Sequence, residues 1–382
     1  MRHTQLPLPV VVVSGSPAEC GAAYGRAARD LIAGNLDVYR RRFATRVGLD
    51  PVAVRRAGAG FRGGTHRLQP RIAAMLDGLA EGAGIPVEEI YALNARTELL
   101  YGASPVPTEC TAVGVLDSHT ADGHTVLAQN WDWHPAQRPY TLLLASRDER
   151  GHAIATLAEA GMLAKTGLNS AGLGVCVNML GCDRDGRPGG LPYHVLLRAA
   201  LEADSLGAAL KAVCNAPRSA SINLLLGQAG PQPVGGAAGP PFGGGELIDL
   251  ELVPGDLGVR HPVDGILAHA NHLETPLPVH DRLKDDAGST WFRSARADRL
   301  LRRVCAEPGG RVGEQDLIAL LADHGGYPSA ICRHVDERDP DDERSESIYS
   351  ILLDLDDRRL AIAPGPPCGG RYARVSLDEL FP

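Results

Sequence analysis

The pattern of apolar and polar positions changes character near residue 110. Upstream, the chain opens on the apolar run Leu6-Pro-Leu-Pro-Val-Val-Val-Val13. Two prolines interrupt it and it is too short for a signal peptide, so it predicts a first β-strand. Ser16-Pro17-Ala18-Glu19 is a capping box with proline in the first helical turn. The helix it opens carries Tyr24, Leu31, Leu36 and Phe43 and stops by Gly48. Asp50-Pro51 opens a second helix, and two more are expected over 70–81 and 86–100. Gly102-Ala-Ser-Pro-Val-Pro107 cannot continue a helix, because proline lacks the N–H and biases its predecessor to extended backbone.

Downstream the period shortens to that of strands. Thr111 to Leu116 reads as a strand, Ala121-Asp122-Gly123 as a hairpin turn, and Thr125 to Asn130 as the returning strand. Further strands are expected at 140–147, 152–158, 163–168 and 173–179, the last two joined by a tight turn in Gly167-Leu-Asn-Ser-Ala-Gly-Leu-Gly174. Helices fit 191–203 and 205–214, strands 221–227, 246–252 and 265–270, and helices 291–306 and 313–322. A last hairpin pairs Ser347–Asp354 with Arg359–Ala363. Gly230 to Gly245 is a glycine- and proline-rich surface loop within one body, because strands on both sides need partners. Strands in the middle with helices grouped on either side predict a layered α+β architecture. A mostly helical N-terminal segment, 1–109, meets a β-rich segment, 110–382, at Pro107-Thr108-Glu109-Cys110.

Composition narrows the function classes. The 382 residues are 44% hydrophobic, enough to bury a sizeable core. The net charge of −8 argues against a nucleic-acid binder, which needs a basic face. Arg40, Arg41, Arg42, Arg55 and Arg56 have no interleaved aromatics and read as a solvated helix surface. The acidic run Asp336 to Glu346 reads as a solvated loop. No apolar run approaches the ~20 residues that span a bilayer. The eight cysteines include no CxxC pair, and their spacing fits neither a zinc site nor a disulfide scaffold. The expectation is a cytoplasmic protein with reduced thiols and no metal. A functional cysteine must then be singled out by its neighbours.

Cys110 stands where an irregular segment meets a strand. A hairpin returns its second strand to the start of the first, so Asp132 of Gln129-Asn-Trp-Asp-Trp133 comes back beside it. A carboxylate there does not lower the thiol pKa; it can hold a neighbouring amine or water.

Five pieces then occur in a specific order: Glu109-Cys-Thr-Ala112; Ala128-Gln-Asn-Trp-Asp-Trp133; Gly167 to Gly174 followed by Asn178; His269-Ala-Asn-His272; and Ser289-Thr-Trp-Phe-Arg293. With them the chain, from about Gly21 to Ala363, resembles the N-terminal-nucleophile (Ntn) amidohydrolase family of the penicillin acyltransferases. The choloylglycine and bile salt hydrolases are more distant relatives. The resemblance implies a four-layer αββα Ntn-hydrolase sandwich. It also implies a precursor that cuts itself between Glu109 and Cys110. The freed α-amino group, with a pKa of roughly 7.7–8.0, then serves as the base for its own thiol.

By the same resemblance Cys110 supplies nucleophile and base, and Asp132 orients the new amino group. Asn178 and Asn223 are oxyanion donors, and Arg293 stands near the nucleophile. Trp131, Trp133, His269 and Asn271 fall on the substrate side. The fragments 1–109 and 110–382 would stay associated, with self-association of the whole left open. The implied partner is a small-molecule amide or acyl donor and acceptor, with no cofactor beyond an acyl-coenzyme A co-substrate. Two positions depart from the pattern. Glu109 replaces a glycine before the cysteine, and Gln129 replaces the arginine of the bile salt hydrolases, which argues against a bile acid substrate. Amide hydrolysis or acyl transfer through a Cys110 acyl-enzyme is the leading expectation. The alternatives are a thioesterase, or a ligand-binding protein on the same scaffold with an unreactive thiol. A Cys–His protease ranks last, because nothing singles out a partner among thirteen histidines.

Overall fold

The computed structural model describes residues 6–101, 110–230, 244–286 and 288–382. Glu109, the break at 102–107 and most of the 230–245 loop therefore lie outside the described residues. In chain order the elements begin with β1 (Val10–Ser14), α1 (Pro17–Ala27), α2 (Arg29–Val47), α3 (Pro51–Leu68), α4 (Pro70–Ala83), α5 (Val87–Asn94) and α6 (Arg96–Tyr101). Next come β2 (Cys110–Val115), β3 (Val126–Trp133), β4 (Thr141–Arg147), β5 (Ala153–Glu159), β6 (Gly167–Asn169) and β7 (Leu173–Met179). After α7 (Tyr193–Leu201) and α8 (Leu206–Cys214) run β8 (Ile222–Gln228), β9 (Glu246–Val253), β10 (Asp256–Arg260) and β11 (Ile266–His269). The chain finishes with α9 (Arg282–Asp286), α10 (Thr290–Ala306), α11 (Glu314–Leu321), β12 (Glu346–Asp354), β13 (Arg359–Pro364), β14 (Ala373–Ser376) and α12 (Leu377–Leu380).

Among the described residues the strands form two sheets. One runs β1-β4-β5-β6-β7-β8-β9-β10 and the other β11-β2-β3-β12-β13-β14. The alternation within each strand sets the layers. Ala112, Leu127, Cys176, Leu225, Leu247 and Ile351 meet in a core between the sheets. The opposite faces carry helices. Val175, Val177, Leu224 and Leu226 pack on α7 and α8 through Leu197, Leu201 and Val213. Leu142 and Leu144 pack on α1 and α4 through Tyr24, Leu76 and Leu79. Val113, Val115 and Ala128 pack on α10 and α11 through Ala297, Leu301, Leu317 and Leu321. The result is the expected α+β sandwich of four layers, helix–sheet–sheet–helix. The N-terminal segment is woven into it, since β1 pairs in parallel with β4.

Two expected helices are each divided. The helix opened by the Ser16 capping box ends at Ala28, whose backbone (φ −113°, ψ 19°) is not helical, and α2 restarts beyond it. Ala95 (φ −105°, ψ 22°) likewise separates α5 from α6. Gly48 closes α2 in the left-handed conformation (φ 66°), as its position after the last apolar residue predicts. The expected strand over 163–168 is confined to Gly167–Asn169.

A candidate active site at the head of strand β2

The antiparallel pairing of β2 with β3 sets Cys110 opposite Trp131, so Asp132 arrives one residue beyond it. Cys110, Trp131 and Trp133 share the inter-sheet core, and Cys110 is only 5% exposed. Both main-chain polar atoms of Cys110 are met by side chains. Its N–H donates to Asn271 Oδ1 at 2.6 Å, and its carbonyl accepts from Arg293 Nη1 at 2.5 Å.

These two side chains are themselves held. Arg293 lies on α10, one turn beyond Ser289, and its Nε donates to Ser289 Oγ (3.1 Å). Its other contacts are Nη1 to Thr111 Oγ1 (2.9 Å) and Nη2 to Asn271 Oδ1 (2.9 Å). It is fully buried, so these charge-assisted bonds are made in a low-dielectric setting where they are strong. Asn271 donates its main-chain N–H to Thr290 Oγ1 (2.8 Å) and its Nδ2 to the Met179 carbonyl (2.9 Å). It therefore links the first turn of α10 to the end of β7.

Burial pushes the Cys110 thiol up and the Asp132 carboxylate adds to the rise. A hydrogen bond from the Asp132 backbone and the Lys165 and Arg293 charges pull it back, leaving it at about 11. In the uninterrupted chain this sulfur is therefore a protonated thiol at neutral pH.

The residues expected at the site take distinct places. The acceptor on the Cys110 nitrogen is Asn271, which sequence reasoning assigned to substrate. Asp132, expected to orient that nitrogen, meets the sulfur through its backbone and accepts Ser347 Oγ on Oδ1 at 2.6 Å. Asn178 and Asn223 are paired neighbours on β7 and β8. The amide of Asn223 is committed to Asp249 Oδ1 at 2.5 Å, whereas among the described residues that of Asn178 makes a long contact to the His269 carbonyl at 3.4 Å. His269 is fully buried, with Nε2 at 2.9 Å from Glu251 Oε1 and Nδ1 at 2.9 Å from the Ala270 carbonyl. Burial works against its charge, but Asp249 and Glu251 outweigh it and raise the imidazole to about 9. It is thus a buried cation tying β11 to β9.

A cluster that sequence reasoning passed over lies under the two tryptophans. Lys165 Nζ sits 4.0 Å from the Trp131 ring centre and Arg96 4.1 Å from that of Trp133. Both bond Glu159 Oε1 at 3.0 Å, and Tyr39 donates its hydroxyl to the same carboxylate. Burial opposes the Glu159 charge, yet Arg96 and Lys165 hold the carboxyl at about 2, while burial lowers Lys165 to about 8. The one available signal was rarity: Lys165 is one of only three lysines in the chain. A cleft of about 610 Å³ opens beside the end of α6, between Phe61 and Gly64 of α3, Glu98 and Leu99, and Arg187 to Gly190.

Two facing sheets thus lie between helical layers, with a cysteine heading an inner strand and clamped through its own main chain. The chain belongs to the acyl-coenzyme A:6-aminopenicillanic acid acyl-transferase family, whose sequence profile matches residues 119–367. It is 29% identical over 367 residues to the acyl-coenzyme A:6-aminopenicillanic-acid-acyltransferase 40 kDa form of Emericella nidulans, covering 94% of this chain and 92% of that one. Among solved structures it is similar to a conjugated bile acid hydrolase from Clostridium perfringens (TM-score 0.45, 12% identity, 70% of this chain and 93% of that one). It is also similar to a penicillin V acylase from Agrobacterium tumefaciens (TM-score 0.43, 13% identity, 71% and 88%). No helix among the described residues is long and apolar enough to cross a membrane.

Proposed function

We propose that the protein is a self-processing cysteine acyltransferase or amide hydrolase acting on a small molecule, with Cys110 as nucleophile. The observation that carries this reading is the clamp on the Cys110 main chain by Asn271 and Arg293. A Cys–His protease positions a thiol against an imidazole; this site instead positions the nitrogen and carbonyl of the cysteine itself.

Processing would begin with attack of Sγ on the Glu109 carbonyl. The C–N bond breaks as the Cys110 nitrogen gains a proton, leaving a thioester between Glu109 and Sγ. Water then hydrolyses the thioester to a Glu109 carboxylate and a free Cys110 thiol. The former amide nitrogen becomes an α-amine able to accept the thiol proton near neutral pH. That supplies the base that a thiol held at about 11 otherwise lacks.

In turnover the thiolate attacks an amide or thioester carbonyl, and the amine or thiol leaving group departs with a proton from the α-ammonium. Water or an acceptor amine then takes the acyl group. Of the two asparagines we assign the oxyanion to Asn178, whose Nδ2 makes a long 3.4 Å contact, whereas that of Asn223 is committed to Asp249. Asn271 Oδ1 would hold the new amino group, and an acyl-coenzyme A is a compatible donor.

Intact mass under denaturing conditions tests the reading. Cleavage predicts fragments of about 11 and about 29 kDa, the shares of 40.3 kDa carried by 1–109 and 110–382. Acylation of Cys110 by an active ester tests the nucleophile separately. An intact chain with a thiol inert to such an ester would favour the ligand-binding alternative.

A further inference from the structure

Four metal-ligating side chains, none of them part of the Cys110 main-chain clamp, converge beside the six-stranded sheet. His324 follows α11, Cys332 and His334 lie on the segment leading to β12, and Cys368 lies in the turn between β13 and β14. Their four ligand atoms all fall within 4.8 Å of one another. His334 Nε2 is the hub, at 3.2 Å from His324 Nε2, 3.6 Å from Cys332 Sγ and 3.4 Å from Cys368 Sγ. One imidazole nitrogen carries either one proton or one lone pair, so it can satisfy only one of three such neighbours.

A shared cation satisfies all of them. With Zn–N near 2.05 Å and Zn–S near 2.3 Å, a tetrahedron has edges of about 3.3 Å between nitrogens and about 3.6 Å between nitrogen and sulfur. The three observed separations match those edges.

We infer that His324, Cys332, His334 and Cys368 form a structural zinc site. Two thiolates with two imidazoles are the donor set of tetrahedral zinc, and four protein ligands leave no open position for catalysis. Binding releases the two thiol protons, giving a neutral complex of one Zn²⁺ with two thiolates and two neutral imidazoles. His324 and Cys368 are exposed, so the ion has a path in, whereas Cys332 is buried.

The site adds a cross-link between segments that hydrogen bonds already bring together, Asn130 Nδ2 of β3 donating to both the Leu321 and the Ile331 carbonyls at 2.8 Å. Cys332 N–H donates to the Asp323 carbonyl at 2.9 Å. The neighbouring Arg333 exchanges hydrogen bonds with Ser347, whose hydroxyl reaches Asp132. The cation thus pins the loop on which that contact rests. Sequence spacing hides the site because its ligands come from three separate stretches.

The test uses the full chain purified under reducing conditions without chelator. Elemental analysis is expected to give one zinc per chain. The chelated protein is expected to melt several degrees lower. Cobalt added to it should produce thiolate charge-transfer and tetrahedral d–d bands. Cys368→Ser and His324→Asn change exposed ligands, so folding should survive while zinc affinity falls by about 10²-fold or more. Cys305→Ser, which is remote, should leave it unchanged. The same stoichiometry is expected in Cys110→Ala, which separates this site from the chemistry proposed at Cys110. Protein that folds without zinc and yields no cobalt bands would overturn the inference, as would a Cys332–Cys368 disulfide in the reduced preparation.

Discussion

Asn271 shows how one amide can hold the main chain of a cysteine. Its oxygen receives the Cys110 N–H and an Arg293 N–H, while its nitrogen is anchored on Met179. Asn271→Ala is expected to slow both chain cleavage and turnover by about 10²-fold, because displacing a reacting group by even 1 Å has that effect. Asn178→Ala should lower kcat by about 10²–10³-fold with little change in KM, as loss of an oxyanion donor does; a change confined to KM would remove it from that role. His269 predicts a pH signature of stability. Its folded pKa, about 9, lies above its ordinary 6.5, so its contribution is complete below pH 6.5 and lost as pH rises through 9. The Tm difference between wild type and His269→Gln should therefore be largest near pH 6 and shrink by pH 9.5. That Asp132 comes back beside Cys110 was legible, because a hairpin must return its second strand. The link to Asn271 was not, since it joins residues 161 positions apart and depends on where α10 docks.

At the scale of elements, α1 and α4 approach closely at their glycines. A Cβ on Gly21 would overlap the Met75 carbonyl, and one on Gly78 the Ala18 carbonyl. Gly78→Ala is therefore expected to destabilise the fold by about 1–3 kcal/mol, measured by denaturant unfolding. An unchanged midpoint would mean that the helices separate freely. Short, fully buried apolar strands were readable nearly to the residue, as β7 over 173–179 shows. Its apolar positions face two different cores, and either register slip would misplace all of them. β10 and β14 were not readable. They are edge strands of five and four residues with mixed exposure, and they owe their form to the neighbour that supplies the hydrogen bonds. The divisions at Ala28 and Ala95 were equally hidden, because alanine favours helix and tertiary packing overrides it there.

At the scale of the whole molecule, the layered α+β design followed from strands grouped between helices. The sequence pattern did not reveal how thoroughly 6–101 is built into the sandwich. β1 pairs with β4, α1 and α4 cover the larger sheet, and Tyr39 and Phe43 of α2 enter the inter-sheet core. After cleavage the two fragments are thus expected to co-elute in native gel filtration and to separate only in denaturant. The most direct test of the central claim is the intact mass of wild type beside Cys110→Ala. Wild type is expected to give two masses, the larger beginning at Cys110, and the variant a single inactive chain. A Cys110→Ala protein that is still cut before residue 110, or still turns over substrate, would contradict it.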